Sequence, residues 1–193
     1  MSTFNSYLVL GFQHIMNIQA LDHLLFILSI TCMYKFYDAK KLLLLITAFT
    51  LGHSMTLALA TLKWIDFSQK WIEFLIPCTI LFSALSNLNF KQTNIRSTKL
   101  PTYKFILVGI FGLIHGLGFS NYLQSLLGNE HSILSPLFAF NIGLELAQIM
   151  VVLSILLISS LLIELFKIKL IYFVLVISGI IIGLSLPMVL ERW

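Results

Sequence analysis

Six long apolar stretches dominate the chain, and short segments richer in polar and charged residues separate them. They cover residues 15–34, 42–62, 71–90, 104–127, 135–166 and 170–190. A helix that crosses a bilayer needs roughly 20 predominantly apolar residues. The pattern therefore predicts an all-α, polytopic membrane helix bundle with about six transmembrane helices, in a single integral membrane domain over residues 1–193.

The segment before the first stretch, residues 6–18, is apolar but short and interrupted by polar side chains. It is too short to span a bilayer alone. We interpret it as an interfacial or re-entrant helix, or as the extended start of the first span.

Composition supports a lipid environment. The chain is 59% hydrophobic and 10% charged, whereas a soluble domain carries about 25% charged residues. The net charge of +4 does not indicate nucleic-acid binding, because the lysines lie in the connecting segments. Cys32 and Cys78 lie in apolar runs and are interpreted as small apolar fillers.

The basic residues are distributed unequally between the two sides of the predicted bundle, and cytoplasmic loops of membrane proteins are enriched in Lys and Arg. We therefore expect the richer side to be cytoplasmic and both termini to be extracytoplasmic. The richer side has Lys35, Lys40, Lys41, Lys91, Arg96, Lys99, Lys104, Lys167 and Lys169, and the other side has Lys63, Lys70 and Arg192.

Ionisable residues inside the predicted spans are the informative positions, because each costs about 2.5–3.5 kcal/mol at a helix centre. His14, Asp22 and His23 form the first group. In one continuous helix, His14 and Asp22 would share a face and His23 would point about 100° away. Alternatively, a bend near Asn17 would bring His14 back toward Asp22.

Two further histidines lie near the middle of their spans. His53 has polar neighbours three residues away on either side in Thr50 and Thr56, and Ser54 directly follows it. His115 lies beside Gly116 in a glycine-rich stretch. Phe49 and Phe111 each precede one of these histidines by four residues, which is a faint internal similarity. Structural packing remains an alternative for each histidine.

The fifth stretch carries Asn141, Glu145 and Gln148 at spacing i, i+4, i+7, which places them on one helix face. A polar face within a lipid-length helix must contact protein or a water-filled cavity. We expect Asp22, His23, His53, His115 and Glu145 to converge on a metal site; in the alternative, Asp22 orients a ligating histidine. The remaining polar residues, Thr50, Ser54, Thr56, Asn141 and Gln148, would support the site or line a pathway.

Imidazole and carboxylate ligands suit Zn²⁺, Ni²⁺, Co²⁺ or Fe²⁺. One hypothesis is a secondary transporter or facilitator for a divalent transition metal. A second is an intramembrane Zn²⁺-dependent hydrolase or transferase, although no G-x-S-x-G or H-E-x-x-H string supports it. A third is a sensor or assembly subunit whose polar residues only join helices. A homo-oligomer is possible in each case.

Strings at these positions resemble the HupE/UreJ family of hydrogenase and urease accessory membrane proteins. They are GFQHI at 11–15, DHLLF at 22–26, FTLGHSMTL at 49–57, HGLGF at 115–119, and FNIGLE at 140–145 with Gln148. Departures from the family pattern are Ala20, Ala147 and the lack of an evident cleavable signal peptide.

The resemblance implies a nickel or cobalt permease in a bacterial-type inner membrane, with no catalytic residues. Nickel is the first candidate, and zinc and cobalt are alternatives. The metal-binding residues that the resemblance implies are His14, Asp22, His23, His53, His115 and Glu145.

Overall fold

In the computed structural model, residues 2–17, 21–89, 102–127 and 133–193 are described, and every regular element in these parts is helical. A 3₁₀ turn, Phe36–Asp38, precedes the third α-helix. The α-helices are α1 Thr3–Met16, α2 Leu21–Thr31, α3 Ala39–Thr61, α4 Gln69–Asn87, α5 Thr102–Leu127, α6 Leu134–Phe166 and α7 Leu170–Glu191.

The described helices follow the predicted apolar stretches within a few residues from α3 onward. Among them, four segments are long and apolar enough to cross a membrane: Phe36–Thr61, Lys104–Leu127, Leu134–Phe166 and Leu170–Glu191. The all-helical architecture is therefore confirmed for the described residues, with four candidate transmembrane helices. Because α4 and the shorter α2 are not among these segments, six spans stay a prediction.

The first predicted span, residues 15–34, is not one helix. Helix α1 ends at Met16, where Asn17 has an extended backbone with φ −69° and ψ 107°. Helix α2 begins only at Leu21 and has 11 residues, about 16 Å in length. The prediction that one continuous helix carries His14 and Asp22 is therefore wrong. The first helix ends near Asn17, which agrees with the alternative of a bend at that point.

Helix α1 covers most of the segment that was interpreted as an interfacial or re-entrant helix, and it packs along α6. A Cβ built on Gly11 would overlap the carbonyl oxygen of Phe140, and one built on Gly143 would overlap that of Leu8. The two backbones therefore touch, as small residues allow in membrane bundles. Ile15, near the end of α1, is fully buried.

Helices α3 and α5 run parallel and also touch through glycines. A Cβ on Gly112 would meet the backbone of Phe49, and one on Gly116 would meet the backbone of His53. This register fixes His53 beside the turn that carries His115, at the middle of both helices. The contact therefore places both histidines near the middle of their helices, as the sequence predicts.

The two ends of the helix bundle are called the Thr61 end and the Lys104 end, after one residue at each. At the Thr61 end, Gln124 Nε2 donates to the Thr61 carbonyl, Asn121 Nδ2 donates to Gln69 Oε1, and the Tyr7 hydroxyl donates to the Leu126 carbonyl. At the Lys104 end, the Lys104 ammonium lies 3.3 Å from Met33 Sδ.

Helices α1 and α2 follow one another from the Thr61 end toward the Lys104 end. Tyr7 in α1 contacts the last turn of α5, whereas Ser29 in α2 accepts a hydrogen bond from Asn87 at the end of α4. The pair thus forms a discontinuous helix, in which α1 ends at Met16 and α2 begins at Leu21. Broken helices of this kind form the binding sites of many transporters.

Candidate metal centre

The break between α1 and α2 brings two histidines together. His14 lies in the last turn of α1 and His23 near the start of α2. Their ring centroids are 4.6 Å apart. One continuous helix would direct these rings to different sides, so the break is what creates the contact.

His53 completes a group of three imidazoles. His14, His23 and His53 each offer one ring nitrogen, and these nitrogens all lie within 4.8 Å of one another. His23 and His53 are buried, and His14 is partly buried. Metal–imidazole bonds are about 2.0–2.1 Å long, so small side-chain rotations would bring the three nitrogens onto one ion.

The ring nitrogens of this group lack ordinary partners in the described part of the chain. Both nitrogens of His23, both of His53, and Nε2 of His14 are buried without a hydrogen bond. A buried polar atom left unpaired costs about 1–3 kcal/mol. A cation that accepts one lone pair from each ring would satisfy three of these five nitrogens, so the donor set fits a transition-metal ion.

Aromatic rings enclose the three histidines. The His14 ring lies 4.1 Å from Phe119 and 5.7 Å from Phe140, and Phe119 and Phe140 stack on each other at 5.0 Å. Phe49 packs 6.1 Å from His23. Such walls exclude water and lower the local dielectric, which strengthens the attraction between an ion and its ligands.

His115 lies next to this group but has a partner of its own. Its ring is 5.2 Å from that of His23, and its Nε2 lies 3.2 Å from the hydroxyl oxygen of Thr79. Its Nδ1 is buried without a partner in the described residues. His115 therefore borders the three histidines and is held by α4.

Asp22 faces a different partner from the one expected. Its Oδ2 lies 3.4 Å from Nη1 of Arg192, which follows α7, and its Oδ1 is buried without a partner in the described residues. Arg192 also donates to the carbonyl of Glu73 at 3.3 Å. The structure therefore places Asp22 between the histidines and the Thr61 end of the bundle.

Glu145 and Gln148 bind α3 instead of the histidines. The Thr47 hydroxyl donates to Glu145 Oε1 at 2.8 Å, and the Thr50 hydroxyl donates to Gln148 Oε1 at 2.9 Å. The Asn141 side-chain oxygen is buried without a partner in the described residues. Two residues of the predicted polar face, Glu145 and Gln148, therefore join α6 to α3.

The other polar residues predicted around His53 make local and interhelical bonds. The Ser54 hydroxyl donates to the Thr50 carbonyl of its own helix at 2.6 Å. The Thr56 hydroxyl lies 2.7 Å from the Leu113 carbonyl of α5. Ser54 thus bonds within α3, whereas Thr56 joins α3 to α5 beside His53.

The comparison with protein families gives one match that covers almost the whole chain. A model described as HupE / UreJ protein matches residues 1–191. The chain belongs to the HupE/UreJ family. Neither the comparison with curated proteins nor that with solved structures gave a match.

Membership of the HupE/UreJ family agrees with the membrane-type helices and indicates a role in metal handling, as an accessory or transport protein. The match covers the helices that carry the three clustered histidines and the neighbouring His115. The imidazole group and the family therefore point to the same broad chemistry.

This HupE/UreJ protein also has a polar face that the sequence analysis missed. Thr79, Ser83 and Asn87 in α4 are all buried and lie four residues apart, so they share one face of the helix. Thr79 contacts His115, the Ser83 and Ser29 hydroxyls lie 2.7 Å apart, and Asn87 donates to the Ser29 carbonyl. The i, i+4, i+8 spacing was the available signal.

Replacing Thr79 by valine should destabilise the protein by about 1–3 kcal/mol, because Nε2 of buried His115 would lose the hydroxyl that contacts it. Thermal unfolding in detergent micelles measures the change. Thr31→Val is the matched control: the Thr31 hydroxyl is buried and has no partner in the described residues, so we expect no loss or a small gain. Equal destabilisation by both variants would contradict the prediction.

Proposed function

We propose that this HupE/UreJ protein is a secondary transporter or facilitator of a divalent transition-metal ion, with Ni²⁺ as the first candidate cargo and Co²⁺ or Zn²⁺ as alternatives. The observation that carries the proposal is the group formed by His14, His23 and His53 inside the helix bundle, with unpaired ring nitrogens. Cations are the class of ligand that such nitrogens bind.

The position of the site favours transport. It takes one histidine from each half of a discontinuous helix, and transporters often form their substrate sites with discontinuous helices, so that access can alternate between the two faces. Polar residues extend from it in two directions: Asp22 and Arg192 toward the Thr61 end, and Thr79, Ser83 and Asn87 toward the Lys104 end. A cargo ion would need such polar groups on both sides of the site.

Each histidine contributes a separate part of the site. His14 and His23 come from the two halves of the discontinuous helix, and His53 comes from α3, which is tied to α5. Relative motion of α1 or α2 would therefore change the ligand set and release the ion. Protons would compete with the metal for the imidazoles, so binding should weaken as pH falls.

An intramembrane Zn²⁺ hydrolase or transferase receives less support. Such an enzyme needs a general base near the metal-bound water. Neither candidate carboxylate belongs to the group of ligand atoms that lie within 4.8 Å of one another, and Asp22 contacts Arg192 while Glu145 accepts from Thr47. We expect the basic Lys104 end to be cytoplasmic, in a bacterial-type inner membrane.

The decisive test is uptake of radioactive Ni²⁺ into proteoliposomes that contain the purified protein. We expect saturable uptake above that of protein-free liposomes, with competition by Co²⁺ or Zn²⁺ and none by Mg²⁺, which prefers oxygen ligands. Metal analysis of the same purified protein gives the bound stoichiometry. Metal binding without flux across the vesicle membrane would contradict transport.

A further inference from the structure

A pocket at the Thr61 end of the bundle shares Arg192 with the ion pair of Asp22 and Arg192. Its volume is about 220 Å³, and its lining residues are Lys70, Trp71, Phe74, Arg192 and Trp193. Arg192 therefore lines the pocket with part of its side chain and reaches Asp22 with its guanidinium. The chain neighbour of Asp22 is His23, one of the three clustered histidines.

We propose that the Arg192 side chain closes the route from this pocket to the histidines by occupying the Asp22 carboxylate, and that an incoming divalent cation displaces it. The inference rests on the proposed transport of a cation. It adds a residue, Arg192, that lies beyond the stretch matched by the family model.

The geometry of the ion pair fits a contact that forms and breaks. The guanidinium makes one contact of 3.4 Å to Oδ2, whereas strong charge-assisted bonds are about 2.7–2.9 Å long. The other carboxylate oxygen, Oδ1, is buried and has no partner in the described residues. Asp22 thus keeps an unused oxygen toward which a cation would be attracted.

The position of Arg192 gives it room to move. It follows the last turn of α7, its side chain is partly exposed, and its second hydrogen bond goes to the Glu73 carbonyl at 3.3 Å. When a cation reaches Asp22, the guanidinium can keep its contact with Glu73 or swing into the pocket. Opening on this proposal begins with a rotation of the Arg192 side chain.

A labelling experiment without metal tests the closure. In a background with Cys32→Ala and Cys78→Ala, His23→Cys places a thiol below the ion pair, and a small cationic methanethiosulfonate serves as the probe. Adding Arg192→Ala should speed labelling of this thiol severalfold. Lys70→Ala is the matched control, because Lys70 is a cation of the same pocket that lies outside the Asp22 pair, and we expect little change from it.

Metal titration tests the displacement. With wild-type His23 and Ni²⁺ alone as the ligand, Arg192→Ala should tighten the Kd about two- to fivefold, the range for a partly exposed ion pair. In an Asp22→Asn background the same change should have no effect, because Arg192 acts through that carboxylate. Lys70→Ala should leave the Kd within error of wild type.

The outcomes separate this inference from the proposed function. An unchanged labelling rate in Arg192→Ala, or a tighter Kd that persists with Asp22→Asn, would overturn the closure by Arg192. Faster labelling together with no Ni²⁺ binding by the wild-type protein would support the closure and contradict the proposed metal transport.

Discussion

Replacing His53 by glutamine should weaken Ni²⁺ binding by at least about 100-fold. His53 supplies one of three nitrogens that lie within 4.8 Å of one another, and even residues that only orient metal ligands contribute 10–100-fold to affinity. Glutamine keeps a polar side chain of similar reach but is a poor ligand for this class of metal. Isothermal titration of the purified protein with Ni²⁺ measures the change.

The matched variants test whether three residues bind the metal, as the distances indicate, or all six candidates, as the family resemblance implies. His115→Gln should weaken binding by about tenfold only, because His115 contacts Thr79 and borders the group of three. Glu145→Gln should have a smaller effect, because Glu145 binds Thr47 on α3. Equal losses in all three variants would contradict the assignment of His14, His23 and His53 as the binding group.

The second large effect concerns the contact between α1 and α6. Gly143→Ala should destabilise the protein by about 1–3 kcal/mol, the usual cost of overpacking, since its Cβ would overlap the Leu8 carbonyl oxygen. Backbone atoms cannot yield as a flexible side chain can, so α1 must move away. Because α1 carries His14, we also expect weaker Ni²⁺ binding by the fraction that remains folded.

The control for this prediction is the same substitution on a different helix. A Cβ on Gly179 in α7 would have nothing within 4 Å, and alanine is favoured over glycine within a helix by about 0.5–1 kcal/mol. Gly179→Ala should therefore be neutral or slightly stabilising in thermal unfolding. A Gly143→Ala protein as stable as Gly179→Ala would show that the two backbones are not in contact.

The apolar stretches identified the helices because the physical cause is local. Lipid cannot hydrogen-bond to the backbone, so a long apolar stretch must form a helix that satisfies its own polar groups. The ranges 135–166 and 170–190 accordingly match α6, Leu134–Phe166, and α7, Leu170–Glu191, closely. Where the stretch was interrupted, near Asn17, the pattern did not decide between one helix and two.

The candidate site was predictable in residue type but not in membership. The cost of burying His14, His23 and His53 in an apolar span singles them out from sequence alone. The same argument applied to Asp22 and Glu145, yet these carboxylates bind Arg192 and Thr47. A burial argument shows that a partner is required, and it does not show which partner is near.

The sequence by itself determined that the chain is a helical membrane protein of the HupE/UreJ family with imidazoles in its apolar interior. Hydropathy and the presence of costly side chains are properties of the residues themselves. Tertiary structure decided which imidazoles meet, because that depends on the break after Met16, on the glycine contacts of α1 with α6, and on those of α3 with α5. These contacts join residues far apart in the chain, and their distances follow from packing alone.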